Sequence, residues 1–102
     1  MALLHTVNKS PFEKNSLETC LRLAVEGSSV LLIEDAVYAA MNGTSLNGAL
    51  ADASNRLKFY VLGPDLKARG LSEEHVMECI EVVDYGGFVD LVVGHDATHA
   101  CL

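Results

Sequence analysis

Ser29-Val30-Leu31-Leu32-Ile33-Glu34-Asp35 is the stretch that decides the fold. Its four consecutive apolar residues leave no polar face. A strand of this kind is buried on both sides, as in the middle of a parallel sheet covered by helices. Residues 29–34 are therefore read as an interior strand. Gly27 before it suits the end of one helix, and Asp35 after it suits the cap of the next.

Toward the N-terminus, residues 2–7 read as another strand, ended by Asn8-Lys9-Ser10-Pro11. Pro11 removes an amide donor and disfavours helix at Ser10. Between these strands Leu17, Cys20, Leu21 and Ala24 recur at helical spacing, with Ser16 as cap and Glu18 in the first turn. Toward the C-terminus, a helix from Asp35 runs to Met41 and breaks at Asn42-Gly43. Residues 45–54 carry Leu46, Ala49, Leu50 and Ala53 on one helical side. A strand over 57–62 is closed by Gly63-Pro64-Asp65, and one helical turn over 65–69 is stopped by Gly70. Ser72-Glu73-Glu74 opens a further helix that turns Val76, Cys79 and Ile80 inward. A strand over 80–83 follows, then a helix capped by Asp84, with Tyr85, Phe88, Val89 and Val92 on one face and Gly94 at its end. Residues 98–102 form an edge strand. This alternation predicts one α/β domain over residues 1–102, with a mostly parallel sheet, right-handed crossovers and helical stripes covering both faces.

Composition narrows the function classes. The chain has 102 residues, half of them apolar, so it can build one core and is not disordered. Its net charge of −7 disfavours direct nucleic-acid binding. No apolar run approaches the roughly 18 residues of a membrane span. The first residues lack a basic region followed by a long apolar one, so no secretory signal is expected. Cys20, Cys79 and Cys101 are widely spaced and odd in number, which is neither a disulfide framework nor a metal-binding CxxC pair. A reduced, cytoplasmic protein is the expectation.

Ligands of open α/β sheets sit beyond the carboxyl ends of the strands. Here those ends carry Glu34, Asp35, Asp65 and Asp84 and no glycine-rich phosphate loop. Glu34-Asp35 admits a metal or phospho-acceptor reading, but a strand end followed by a cap is simpler. Gly86-Gly87 admits an anion nest, but close packing is simpler. Lys67 and Arg69 form one small basic spot suited to an acidic partner rim. His5 is read as a hydrogen-bonded structural histidine, and His95 as a cation at a helix C-terminus.

The cysteines are the remaining source of chemistry. Cys20 has no cation among its helical neighbours, so activation must come from another segment or subunit. Cys79 shares a helical face with His75, which admits a Cys–His pair, but the helix C-terminus opposes a thiolate there. Cys101 lies two residues after His99, on the same strand face, and reads as part of a terminal edge strand.

Four blocks carry a family resemblance: residues 4–12 (LHTVNKSPF), 30–40 (VLLIEDAVYAA), 60–71 (YVLGPDLKARGL) and 82–93 (VVDYGGFVDLVV). In order and spacing, from about residue 3 to residue 95, they resemble the DsrH/TusB family of sulfur-relay proteins, and are more similar to its DsrH branch. The resemblance implies a three-layer α/β/α domain with a five-stranded, mostly parallel sheet. It implies a cytoplasmic heterohexamer holding two copies each of this chain and of DsrE-like and DsrF-like sister subunits. Such a complex relays persulfide sulfur toward the acceptor DsrC in sulfur oxidation. In the TusB branch the corresponding complex serves 2-thiolation of a tRNA wobble uridine. The principal acceptor cysteine belongs to a sister subunit. Cys20 stands where DsrH-type chains carry a cysteine, which makes it the expected sulfur-handling thiol, set against a packing role. DsrC also has a penultimate cysteine, but nothing else here resembles it. Thiolate attack on a persulfide needs no metal or organic cofactor. The rival is a purely structural subunit. A receiver-like phospho-acceptor at Asp35 is weaker, because Asn8 and Lys9 replace the acidic cluster expected at the first strand end.

Overall fold

The computed structural model describes residues 2–101. Its five strands are β1 (Leu3–Val7), β2 (Ser29–Leu32), β3 (Lys58–Leu62), β4 (Ile80–Val83) and β5 (Ala97–Cys101). All neighbours pair parallel, in the order β4-β3-β2-β1-β5. The chain steps in one direction from β1 to β4, then returns across the sheet to set β5 beside β1. Crossovers of fixed hand place the first three connections on one face and the returning one on the other.

Strand alternation sorts the side chains accordingly. Val7, Val30, Leu32, Phe59, Val61 and Ile80 share one face. They form a single core with Leu17 and Cys20 of α1 (Ser16–Leu23), Val37 of a 3₁₀ segment (Glu34–Ala40), Leu50 of α2 (Asn47–Ala53) and Leu66 of α3 (Gly63–Ala68). Leu4, Leu31 and Leu62 are buried on the opposite face. There lies α4 (Tyr85–Gly94), begun by Asp84, whose Oδ1 accepts the Gly87 amide at 2.8 Å. Gly87 allows close packing on β4, because a Cβ there would stand 2.9 Å from that of Val83. Just past α4, His95 Nδ1 donates to the Leu91 carbonyl at 2.6 Å and Nε2 meets Ser29 Oγ at 2.9 Å.

The two layers are unequal. No residue of α4 is buried, and Tyr85, Val89 and Val93 are 62%, 60% and 79% exposed. The expected helical cover is present on this side, where Leu4, Leu31 and Leu62 are buried, but it is thin. One ten-residue helix lies on this face, and beside Asp90 its outer surface carries Tyr85, Val89, Val92 and Val93. No helix among the described residues is long and apolar enough to cross a membrane.

Other departures have local causes. Helix α1 ends at Leu23, before Gly27, because Arg56 takes the carbonyls of Leu21 and Ala24, the latter at 2.9 Å. Gly27 serves instead in the turn to β2, at φ +89°. Ser16 is the first helical residue and not the cap. Asp35 does not cap its segment either. The Glu34 amide is held by Asp65 Oδ2 at 2.6 Å, and Asp35 binds Arg69 at 2.9 Å. The helix expected after Ser72 is a single 3₁₀ turn, Glu73–His75. The next residues bridge antiparallel to the segment after Ala40, through Asn42 N to His75 O and Met77 N to Ala40 O, both 2.8 Å. That extended pairing prevents helix, so Cys79 is exposed and not turned inward. The terminal strand begins at Ala97, and its expected last residue, 102, lies outside the described residues.

Arg56→Ala is expected to lower the unfolding free energy by about 1.5–3 kcal/mol, the range for hydrogen bonds from a charged donor. Urea unfolding checks this as a lower midpoint at unchanged slope. An unmoved midpoint would mean that water satisfies those carbonyls equally well.

Candidate functional site

The pairing of β5 with β1 sets His5 opposite His99 and Val7 opposite Cys101. Alternation turns all four toward the face that α1 covers. Cys20, on the fifth residue of α1, points down onto this corner. The result joins side chains from three elements. Cys20 Sγ and Cys101 Sγ stand 2.7 Å apart, His5 Nδ1 and His99 Nδ1 3.4 Å, and His99 Nδ1 and Cys101 Sγ 3.9 Å. The two imidazoles meet edge to face, with centroids 5.5 Å apart. A cavity of about 230 Å³ opens onto them beside Asn15, Thr19 and Leu23.

Contact between the two sulfurs sets the chemistry of the pair. Cys20 is 4% exposed and Cys101 9%. Both are free thiols. Two thiols in contact titrate as a unit: the first proton leaves readily and the second is held. The charge settles on Cys101, whose pKa is lowered to about 6. The main cause is the hydrogen bond shared with Cys20, aided by His99 and His5 and opposed by burial. Cys20 is pushed far above the thiol range, first by its bond to Cys101, then by burial and by the charge on Cys101. Within the pair Cys101 is therefore the readier to lose its proton and Cys20 the one that holds it.

The expected sites distribute as follows. Cys20 lies in the constellation, and its activating groups come from other segments of the same chain. His5 is hydrogen-bonded as expected through Nδ1, 3.4 Å from His99 Nδ1, but its Nε2 is buried without a hydrogen-bond partner. Cys101 is more than an edge-strand residue. Cys79 and His75 lie exposed outside any α-helix, and His75 is 3.9 Å from Glu74. The four acidic residues at the strand ends do not converge. Asp65 and Asp84 hold backbone amides, Asp35 holds Arg69, and Glu34 accepts from Asn8 at 3.3 Å. Arg69 is thereby withdrawn from the basic spot, leaving Lys67 beside a shallow opening past β3 and β4 that contains no histidine or cysteine. The missed members of the site are His5, His99 and Cys101. Shared parity of His99 and Cys101 was visible, but their partner strand was not.

Cys101 in reduced, chelator-treated protein is expected to alkylate at a rate that rises through about pH 6 and levels above it. Cys20→Ala removes the largest stabilising contact, so the midpoint then moves up toward that of an ordinary thiol. A midpoint unmoved by Cys20→Ala would contradict the shared proton.

The ychN protein from Escherichia coli superposes with a TM-score of 0.83 at 16% identity, over 98% of both chains. A protein of unknown function, MTH1491 from Methanobacterium thermoautotrophicum, gives 0.70 at 16%, over 94% of this chain and 95% of that one. At such identities the likeness concerns the fold. Protein TusB of Pectobacterium parmentieri is 38% identical over 94 residues, 91% of this chain and 94% of that one. Protein TusB of Escherichia coli K12 is 38% identical over 98 residues, 96% and 99% of the two chains. The family described as DsrH like protein matches residues 9–98. With a family match over most of its length and relatives at this identity, the chain belongs to the DsrH/TusB family.

Proposed function

We propose that this chain is a subunit of a sulfur-relay complex, completed by two non-identical sister chains and serving 2-thiolation of a tRNA wobble uridine. The exposed apolar helix α4 carries the reading. Tyr85, Val89, Val92 and Val93 form a surface that the chain itself does not cover, as expected of a stable interface. The TusB relatives support the tRNA branch and sister chains of the TusC and TusD kind. A sulfur-oxidation role, with DsrE-like and DsrF-like sisters and a DsrC-like acceptor, is the second reading. It is supported by Cys20 itself, which TusB-type chains need not have. Both readings place the complex in the cytoplasm.

The dithiol gives the chain a part in the transfer. Cys101 thiolate attacks the outer sulfur of a donor persulfide. The new S–S bond forms as the donor's S–S bond breaks, and the donor leaves as a thiolate. Cys20 keeps its proton on the attacking sulfur's partner and is the next thiol within reach of the carried sulfur. The cavity beside Thr19 and Leu23 gives entry, and burial keeps oxidants from the persulfide.

Reconstitution with both sister chains and a persulfide donor tests this. Wild-type protein is expected to assemble and to gain the mass of one sulfur on the Cys20 or Cys101 peptide. Val89→Glu with Val93→Glu is expected to abolish assembly while the circular dichroism of the free chain stays unchanged. If the double variant assembles normally, α4 is not the interface. If only a sister chain is labelled, and Cys20→Ser and Cys101→Ser leave the rate intact, the chain is a structural subunit.

A further inference from the structure

The corner where α1 crosses β1 and β5 supports a second chemistry, independent of the sulfur-relay reading. We propose that Cys20, Cys101, His5 and His99 form a binding site for one borderline-soft, tetrahedral divalent cation of the zinc class.

The donor set comes first. Two thiols and two imidazoles are the ligands of closed zinc sites. Among the described residues, His5, Cys20 and Cys101 are the group of possible metal ligands whose donor atoms all lie within 4.8 Å of one another. His99 falls outside that group: its Nδ1 is 3.4 Å from His5 Nδ1 and 3.9 Å from Cys101 Sγ, and it must swing toward Cys20 to share an ion with all three. Zinc–nitrogen and zinc–sulfur bond lengths imply tetrahedral edges of roughly 3.3 Å between nitrogens and roughly 3.6 Å between nitrogen and sulfur. The observed separations are close to both. The sulfurs, at 2.7 Å, must part by about 1 Å to reach a sulfur–sulfur edge. Cys101 stands at the end of an edge strand, where that movement meets the least resistance.

The electrostatics agree. Two thiolates and two neutral imidazoles make the loaded site neutral, which suits a corner where both sulfurs are nearly buried. Loading releases the protons of both thiols, and the cation supplies what Cys20 needs to give up its own. His5 touches His99 through Nδ1, and two neutral imidazoles facing each other through nitrogen can use one proton between them at most. A cation accepts both lone pairs. The same sulfurs cannot hold a metal and carry a sulfane sulfur at once, so loading silences the dithiol.

Co²⁺ titration of the reduced full chain, with Cys79→Ser to remove the exposed thiol, is the test. The expected result is one equivalent bound, with a thiolate-to-cobalt charge-transfer band and the intense visible bands of a tetrahedral site. Zn²⁺ then displaces the cobalt and protects Cys20 and Cys101 from alkylation. Cys101→Ser is expected to weaken Zn²⁺ binding by about 100-fold or more and His99→Ala by about 10- to 100-fold. Both positions lie on the edge strand, and the fold of each variant is checked by circular dichroism. Absence of the charge-transfer band overturns the proposal. So does Zn²⁺ affinity that survives both substitutions in folded protein.

Discussion

The pairing of β5 with β1 is the constraint on which the rest depends. Five residues of the terminal strand lie in register with Leu3–Val7, at the edge of the sheet. The register is pinned where the strands begin, by Asp96 N to Ala2 O at 2.8 Å and Ala2 N to Asp96 Oδ2 at 2.7 Å. A slip of one residue would turn His99 and Cys101 to the opposite face and leave Cys20 without a thiol partner. Neither thiol has an unusual local sequence. Their chemistry arises from one helix crossing one strand pair, and burial makes the resulting contact strong.

The same topology explains why the molecule is lopsided. Three crossovers serve one face of the sheet and a single return serves the other. The first face carries the core and the dithiol corner. The second carries α4 alone, held by a glycine contact and a histidine bridge, with valines and a tyrosine turned outward. The thiol corner and the proposed interface therefore lie on opposite faces. A partner seated on α4, as proposed, would leave the opening to the sulfurs unobstructed by that contact.

Much of the fold was legible in the residues. Val30-Leu31-Leu32 reads as a doubly buried strand because nothing polar interrupts it. Asp84 reads as a cap because its carboxylate meets an amide donor three residues on. The segment after Ser72 misled, because its cap and helical spacing are genuine local preferences that the bridge to Met41 overrides. The site was half legible. Cys20 was identifiable through family likeness and its lack of local activation pointed to a distant partner. Cys101 and His5 were not, since which edge the last strand joins is decided by the return crossover and not by any property of residues 97–101. Cys79 beside His75 had the better local pattern, yet the chain there is not helical.

Disulfide mapping after mild oxidation of the folded full chain measures the central contact most directly. Thiols this close are expected to join Cys20 to Cys101 within one chain while Cys79 stays free, as read from linked peptides by mass spectrometry. Linkage through Cys79, or a statistical mixture of the three pairings, would contradict the placement of β5 and with it the site.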